Sequence, residues 1–258
     1  MIYSGKLLRA ELYDDSTYPY TGVRAVWETH KDKHPGHCIV VNAHWHDPGP
    51  SYIGNYKIDG KVLSEDYPQG QWGFGWNSGA PKMRFGMDDV DNFVSTIPAL
   101  IDGERQWLDY GGGVTRSTTR TWLGVDGKGN WTVEVTTNNY TLVGIGERMK
   151  TLGIVDGMVF DGSGSSQWYD GETYVKGDGR IVYSYLILWF EDTTTEGDGN
   201  VDIKTGIDVS KWQGDIDWEK VKAAGIEFAM LRAGYGQGNV DEQFYRNADE
   251  CTRLGIPF

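Results

Sequence analysis

One carboxylate beside a turn of small residues is the feature of this sequence that most suggests chemistry. In "VFDGSGSSQWYDG" (159–171), apolar residues predict a buried strand that leads to Asp161. Glycines in the following turn let a ligand approach the main chain, and hydroxyl and backbone N–H groups there can surround an anion. We therefore predict acid–base chemistry or sugar binding at Asp161, with an ordinary β-turn as the alternative. The turn consists of Gly162, Ser163, Gly164, Ser165 and Ser166.

A second candidate is the arginine in "STTRTWLGVDGKGNW" (117–131). The residues around Arg120 predict a strand, which would fix the position of its side chain. The planar guanidinium group of arginine suits a phosphate group, which it can bind through two parallel hydrogen bonds. A surface arginine on an edge strand is the alternative interpretation.

All five histidines lie within the 17 residues from His30 to His46. His44 and His46 would share one face of a strand, and such a pair can bind a metal ion. However, no aspartate, glutamate or cysteine lies at the spacing that would complete a metal site with them. We therefore predict no metal and no cofactor, and keep a histidine-bound metal as the weaker alternative.

The composition limits the kinds of partner. The chain has 258 residues, a formal net charge of −13 and 39% hydrophobic residues, which is enough for a packed core. The negative charge argues against nucleic acid, because nucleic-acid binding depends on neutralising phosphates. Two cysteines, Cys38 and Cys251, make neither a disulfide framework nor a paired-cysteine zinc site. No 18-residue apolar stretch predicts a membrane span, and no signal peptide is visible at the start.

The sequence predicts two domains joined by a polar linker. Residues 1–192 show short strands and Asp-Gly turns, with one clear helix in "LVGIGERMKTLG" (142–153), and therefore predict a mostly β, α+β domain. Apolar residues on both faces of "RIVYSYLILWFE" (180–191) predict a strand buried on both sides. Residues 193–205 lack aromatic residues and predict the linker.

Residues 206–258 predict a different architecture. "TGIDVS" and "IEFAMLRAG" read as buried strands, and "IPF" (256–258) as the start of a third. Between them, Asp217 is predicted to begin one helix and Gly225 to end it, while Gly255 ends a second helix. This alternation is typical of the opening of a parallel α/β fold.

Taken in order, the motifs from about Ile39 to Phe190 resemble those of the phosphodiester glycosidase family. That family includes the enzyme that uncovers mannose 6-phosphate by removing N-acetylglucosamine from a phosphodiester. The matching stretches are Asn42-Ala43-His44-Trp45, "IDGKVLS", "IPALIDGER", "RTWLGVD" and "DGSGSS". Two positions depart from the family pattern: Ser163 replaces a glycine, and Ala43-His44 replace residues of the Gly-Phe type.

This resemblance implies specific site residues. It makes Asp161, Arg120 and Asn42 the expected catalytic residues, with Asp161 as the carboxylate and Arg120 as a phosphate clamp. It makes Thr121, His44 and the turn residues Gly162, Ser163, Gly164, Ser165 and Ser166 the expected substrate-binding residues.

The end of the chain resembles family 25 glycoside hydrolases, the muramidases that cleave peptidoglycan. "GIDVSKWQGDIDW" is similar to the opening of that family, and the resemblance continues through "AMLRAGYG" to "GIPF". It implies the start of a (β/α) barrel with Asp208 at the end of its first strand, where barrel enzymes place their chemistry. In that family the main catalytic pair is an Asp-x-Glu on a later strand, which residues 206–258 do not reach, so we expect a fragment without muramidase activity.

Together these resemblances predict part of a cell-wall hydrolase, of the kind found in phage endolysins and bacterial autolysins. Its first domain is expected to hydrolyse a sugar-1-phosphodiester of the N-acetylglucosamine 1-phosphate type. The expected partners are a cell-wall glycopolymer or peptidoglycan, met outside the cytoplasm after release by a phage holin or another export route. The alternative is a non-catalytic wall-glycan-binding module that targets a muramidase.

Overall fold

The computed structural model describes residues 1–46, 49, 51–106, 116–192, 205–236 and 238–258. The chain divides into two compact units, residues 1–195 and 196–258. Of the predicted linker 193–205, only Thr205 lies within the described residues. Each unit is described by itself below.

The first unit is mostly β, as predicted. Its strands in the described residues are β1 (Ile2–Gly5), β2 (Leu7–Asp14), β3 (His37–Asn42), β4 (Asn55–Ile58), β5 (Lys61–Glu65), β6 (Trp72–Trp76), β7 (Lys82–Phe85), β8 (Asn92–Ser95), β9 (Ile97–Ile101), β10 (Glu104–Arg105), β11 (Thr121–Asp126), β12 (Trp131–Val135), β13 (Ile154–Val159), β14 (Trp168–Tyr169), β15 (Tyr174–Val175) and β16 (Ser184–Phe190). They form three antiparallel sheets with the orders β1-β12-β11-β13-β9-β10, β15-β14-β3-β16-β2 and β5-β4-β8-β6-β7.

The main hydrophobic core lies where these three sheets meet. Each sheet contributes large buried side chains to it, such as Leu123, Leu186 and Phe74. Helix α1 (Val23–His30) covers the other face of the sheet that contains β3 and β16, and helix α2 (Leu142–Thr151) covers the other face of the sheet that contains β11 and β13. The sheet that contains β3 and β16 and the sheet that contains β11 and β13 are therefore each covered on both faces.

Strand β16 shows how this layering follows from the sequence. All seven of its residues are buried. Leu186 and Leu188 enter the core between the sheets, while Ile187 and Trp189 pack under α1. This confirms the predicted burial on both faces.

Asp-Gly pairs set the register of two hairpins. Asp59 and Gly60, with φ of 48° and 79°, join β4 to β5, while Asp102 and Gly103, with φ of 51° and 75°, join β9 to β10. Positive φ at both central residues is the geometry that a two-residue hairpin turn requires. The predicted "KIDGKV" hairpin is therefore confirmed.

Helices α1 and α2 of the first unit differ in the strength of their capping signals in the sequence. Helix α2 begins after Thr141, whose hydroxyl accepts a hydrogen bond from Gly144 N, and Gly153 follows its end with φ of 76°, as predicted. Helix α1 was not predicted, because Gly22 gives it no side-chain cap and its first turn has no acidic residue. It is stabilised instead by packing, with Val26 fully buried.

The second unit contains strands β17 (Gly206–Val209), β18 (Phe228–Leu231), β19 (Gly234–Tyr235) and β20 (Asn239–Val240), and helices α3 (Trp218–Ala223) and α4 (Phe244–Leu254). The pairing of β17 with β18 is parallel, and Trp218 of α3 and Cys251 of α4 lie in the core beside it. Asp217 caps α3 as predicted.

One expectation for this unit needs correction: residues 256–258 form no strand, although Pro257 O accepts a hydrogen bond from Ala229 N at 2.9 Å. The described residues of this unit contain two βα pairs and no closed barrel. Across the described parts of both units, no helix has the length and apolar character needed to cross a membrane.

Candidate active site

Three predicted motifs meet at the ends of three strands. Strand β3 ends at Asn42, β11 begins at Thr121, and the chain leaves β13 through Phe160 into Asp161. Phe160 N donates to Thr121 O at 2.8 Å, and Asp161 N faces Ala43 O at 3.3 Å. Because β3 belongs to one sheet and β11 and β13 to another, the site forms where the two sheets join.

Asn42 is the buried centre of this junction. Its side-chain oxygen accepts from the Thr121 hydroxyl at 2.7 Å and from Gln167 N at 2.9 Å. Its side-chain nitrogen donates to Asp161 O at 2.6 Å. A fully buried amide that is bonded in three directions holds its neighbours firmly, because each lost bond would leave a buried polar group unpaired. Asn42 therefore fixes the backbone at Asp161, and Thr121 acts through Asn42.

Asp161 presents a largely buried carboxylate that remains 16% exposed. Burial raises the pKa of this carboxyl, while the Ser165 hydroxyl and the nearby His46 oppose that rise. His46 Nε2 lies 3.8 Å from Asp161 Oδ2, and Gly162 N donates to Oδ1 at 2.8 Å. A carboxyl of raised pKa beside a histidine is an arrangement that can transfer protons or stabilise positive charge.

The turn after Asp161 is shaped by close approaches of the main chain. A Cβ atom on Gly162 would lie 2.7 Å from Thr119 O, and one on Gly164 would lie 2.1 Å from Asp178 Oδ2. A side chain at Gly162 would therefore meet backbone, whereas the contact at Gly164 is with an exposed side chain that can move. The intervening Ser163 has φ of 58°, so it occupies the left-handed region that a glycine adopts without strain.

An open cleft of about 590 Å³ lies along this turn. Its walls include the hydroxyl-bearing residues Thr119, Ser163 and Ser166 and the exposed Lys176. Asp178, also in the wall, forms an ion pair with Arg180 at 2.5 Å. The side of the turn thus offers hydroxyl groups and positive charge to an anion.

Arg120 lies next to Asp161 but is almost completely buried, with 1% exposure. Its Nε donates to Tyr140 O at 3.1 Å and its Nη2 to Arg116 O at 2.6 Å. These bonds fix the backbone at Tyr140 and at Arg116. The exposed Arg116 in turn donates from Nη2 to Ser163 Oγ at 3.2 Å.

His44 is fully buried in the core rather than exposed in the cleft. Its Nδ1 lies 2.7 Å from Trp45 O and its Nε2 3.4 Å from Asn55 O. Burial lowers its pKa to about 4, so the ring is neutral near pH 7. Among the residues that the structure describes, no group of three or more histidine, cysteine, aspartate or glutamate side chains is placed to hold a metal ion.

Sequence reasoning did not assign a role beside Asp161 to His46, Thr119 or Lys176. His46 had a local signal, since it lies four residues after Asn42 in the histidine-rich stretch. Thr119 and Lys176 had none, because only the folding of residues 119 and 174–178 around the turn brings them to the cleft.

In the second unit, Asp208 lies where the resemblance places it, at the end of β17. It borders a cleft of about 480 Å³ together with Met230 and Arg232. The other nearby carboxylate, Asp241, is buried and paired with Arg232 at 2.5 Å, and it also accepts from Lys211 N.

Two protein-family models match the chain. The model described as phosphodiester glycosidase matches residues 36–189, which is more than half of the chain and includes Asn42, Arg120 and Asp161. The model described as glycosyl hydrolases family 25 matches residues 207–257. Both resemblances inferred from the sequence are thereby confirmed.

Individual proteins of both kinds are similar to the chain. Lysozyme M1 of Streptomyces globisporus is 40% identical over 65 residues, which are 25% of this chain and 22% of that protein, so the chain spans about a fifth of that relative. The zebrafish N-acetylglucosamine-1-phosphodiester alpha-N-acetylglucosaminidase catalytic domain, auto-inhibited by its pro-peptide, aligns with a TM-score of 0.53 at 14% identity, over 71% of this chain and 73% of its own. A hypothetical protein from Synechocystis aligns with a TM-score of 0.51 at 9% identity, over 73% and 57%. At these identities the two structures establish the fold alone.

Replacing Asp161 should stabilise the folded protein at neutral pH. Because its pKa is raised on folding, the charged carboxyl destabilises the folded state above that pKa, and the penalty vanishes once pH falls below about 3.9. Asp161→Asn should therefore raise the unfolding temperature at pH 7, with a gain that shrinks on acidification.

The matched control is Asp126→Asn. Burial opposes ionisation of Asp126, but hydrogen bonds from Asn130 and Lys128 outweigh it and lower its pKa. This variant should therefore be destabilised at pH 7, with a loss that vanishes as pH falls through the lowered pKa. Thermal unfolding from pH 3.5 to 8 compares the two variants. A change in unfolding temperature of the same sign for both at pH 7 would contradict the raised pKa of Asp161.

Ser163→Gly should stabilise the first unit by about 0.5–1 kcal/mol. The substitution relieves the left-handed backbone strain, and this gain exceeds the cost of the greater conformational entropy that glycine has in the unfolded chain. Ser166→Gly, at φ of −62°, has no such strain to remove and should be destabilised. Urea denaturation measures both free energies of unfolding. A loss of stability in Ser163→Gly as large as in Ser166→Gly would show that the backbone there is relaxed.

Proposed function

Because the chain belongs to the phosphodiester glycosidase family, whose model covers residues 36–189, we propose that its first unit hydrolyses sugar-1-phosphodiesters. The observation that carries this proposal is the Asp161 carboxyl. It is mostly buried, its pKa is raised, His46 lies beside it, and Asn42 holds its backbone at the junction of two sheets. We take the linkage to be of the N-acetylglucosamine 1-phosphate type, the class named for the zebrafish relative.

The chemistry of such a bond fits this site. The departing phosphate monoester has a second pKa of about 6, so it leaves with little need for a proton. The sugar then develops oxocarbenium-like positive charge, which a carboxylate stabilises, and a water molecule must be held for attack. Asp161 would supply the carboxylate, and His46 would hold or accept a proton at 3.8 Å from it.

The phosphate would lie along the turn after Asp161. Ser163, Ser166 and Lys176 all line the cleft there. Arg116 reaches Ser163 from the exposed surface. In this proposal Arg116 and Lys176 take the phosphate-binding role predicted for Arg120. The buried guanidinium of Arg120 positions the Arg116 backbone.

The second unit suggests the setting of the reaction. Its match to glycosyl hydrolases family 25, and the similarity to lysozyme M1, support a protein that acts on cell walls outside the cytoplasm. We propose that residues 1–192 form the phosphodiester glycosidase domain and residues 206–258 the muramidase-like part. The proposed substrate is a wall glycopolymer that carries sugar-1-phosphodiester linkages.

Asp161→Asn should lower the release of free N-acetylglucosamine from N-acetylglucosamine 1-(methyl phosphate) by about 10²-fold or more, as expected for loss of a catalytic carboxylate. Asp156→Asn is the control. Asp156, in strand β13, accepts an exposed hydrogen bond from the backbone N of Asp102, which lies in the turn between β9 and β10. Equal activity in all three proteins would remove Asp161 from the mechanism. Tight glycopolymer binding with no sugar release by the natural chain would support the wall-glycan-binding alternative.

The 258-residue chain should have no muramidase activity. Glycoside hydrolysis uses two carboxyl groups at a defined separation. In the described part of the second unit, Asp208 is the one carboxylate that lines the cleft, while Asp217 caps α3. Purified, polymer-free peptidoglycan should therefore yield no reducing ends, and Asp208→Ala should behave like the natural chain. Release of reducing ends that Asp208→Ala abolishes would contradict this proposal.

A further inference from the structure

A second cavity, the side cavity, is lined by Asp15, Gln167, Tyr174, Lys176 and Arg180 among other residues, and measures about 200 Å³. Tyr174 and Lys176 also line the cleft of about 590 Å³ that follows the turn, so the two spaces adjoin. Pockets for whole small-molecule ligands usually measure about 300–1,000 Å³. The side cavity is therefore sized for one unit of a ligand whose other part lies in the cleft.

The side cavity is also tied to the candidate active site through Gln167 and Arg180. Gln167 donates from its backbone N to Asn42 Oδ1 at 2.9 Å, and Asn42 in turn holds the backbone of Asp161. The ion pair of Arg180 with Asp178 raises the pKa of its guanidinium, and the negative charge of Asp161 adds to that rise. The side cavity thus lies within electrostatic reach of the Asp161 carboxylate.

Tyr174 is an exposed aromatic residue that the fold holds in place at the boundary between the two spaces. It is 40% exposed, and the guanidinium carbon of Arg24 lies 4.0 Å from its ring centroid. The ring of Tyr169 meets it edge-on, with 6.0 Å between centroids, and the pairing of β15 with β14 fixes the backbone there. Such contacts limit the motion of a ring, so a ligand that packs on it loses little additional entropy.

The side cavity offers both acceptors and donors of hydrogen bonds. The buried carboxylate of Asp15 accepts from Thr21 N at 2.8 Å and from Gly22 N at 3.0 Å, and its two oxygens retain capacity for a further donor. The exposed side chains of Lys176 and Arg180 are donors. A hydroxyl group both donates and accepts. A second anion would be repelled by Asp15, and a purely apolar group would leave polar atoms unpaired.

We propose that the side cavity binds the alcohol part of the phosphodiester, which leaves together with the phosphate, and that this alcohol is a polyol. The inference rests on the proposed function. With the phosphate at Lys176, the ester oxygen on its far side would lead from the cleft into the side cavity. The carbon skeleton of the polyol would pack on Tyr174, and its hydroxyl groups would bond to Asp15 and Arg180. A sugar and an open-chain alditol share this chemistry, and the experiment distinguishes them.

The test compares kcat/KM for the N-acetylglucosamine 1-phosphodiesters of methanol, hexanol, glycerol and glucose, the last two joined through a primary hydroxyl. Every leaving group is a phosphate monoester with a second pKa of about 6, so their intrinsic reactivities are similar. The better of the two polyol esters should exceed the methyl ester by about tenfold or more, as expected for an aromatic contact together with a hydrogen bond. Which polyol is better distinguishes a sugar from an alditol. Equal values for the methyl and both polyol esters, or an equal gain for the hexyl ester, would overturn the proposal.

Two variants test the walls of the side cavity. Tyr174→Ala should lower the ratio of polyol to methyl ester by about threefold to tenfold, the effect of one lost aromatic contact, whereas Tyr174→Phe keeps the ring and should retain the ratio. Ile181→Trp, at a 46% exposed position in the wall, should also lower the ratio, because the larger side chain fills the space without truncating a buried group. An unchanged ratio in both Tyr174→Ala and Ile181→Trp would overturn the proposal.

Phe85→Ala is the matched control. It removes an exposed ring from strand β7, which belongs to another sheet, and should leave both the ratio and the rates unchanged. A fall in the ratio as large as that in Tyr174→Ala would show that the effect is not specific to the side cavity and would overturn the assignment.

Failure of the proposed function can be told apart from failure of this inference. If none of the phosphodiesters is hydrolysed, calorimetry measures the binding of methyl phosphate, glycerol 3-phosphate and glucose 6-phosphate to the natural chain and to Tyr174→Ala. Tighter binding of a polyol phosphate than of methyl phosphate, lost in Tyr174→Ala, would support the side cavity without any catalysis. Equal binding of all three phosphates would overturn it.

Discussion

The buried amide of Asn42 is the interaction on which the candidate active site depends. It bonds in three directions, to Thr121, Gln167 and the backbone of Asp161, and so connects two sheets that are separate in their hydrogen-bond ladders. A buried amide tolerates little displacement, because moving it by about 1 Å would leave several polar groups unpaired. Both sheets therefore fix the backbone position of Asp161, and with it the place of its carboxylate. Helices α1 and α2 cover the outer faces of those sheets and keep them in place.

Around this fixed point the first unit carries features that raise its free energy. The Asp161 carboxyl is mostly buried, Ser163 is held in the left-handed region, and Thr96 and Trp45 have buried polar atoms without a hydrogen-bond partner among the described residues. All of them lie next to the ends of β3 and β13. Local conflicts of this kind persist where function requires them and where the surrounding packing is strong enough to hold them. Their grouping favours an enzyme over a passive binding module.

The carboxylates of the second unit serve mainly its fold. Asp217 caps α3, and Asp241 pairs with Arg232 and accepts a backbone hydrogen bond from Lys211. Asp208 differs, since it is exposed at the end of β17 beside an open cleft. The two units thus present different arrangements. In the first, a mostly buried carboxyl with a raised pKa lies where two sheets join, and in the second the exposed carboxylate of Asp208 lies near the end of a parallel strand beside an open cleft.

The sequence alone determined the elements whose signals are local. Asp59-Gly60 predicts its hairpin because only such pairs adopt positive φ easily, and the two apolar faces of β16 predict burial on both sides. It also gave Asn42, Arg120 and Asp161 as candidate site residues, since the motifs that resemble the family contain them. Only the tertiary structure decided what these residues contact. His44 entered the core, Arg120 turned to backbone carbonyls, and helix α1 formed without a cap because packing outweighed its weak local signals. The position of His46 beside Asp161 and that of Lys176 at the cleft became visible only there, because such contacts join residues far apart in sequence. No local pattern encodes the register at which two sheets meet.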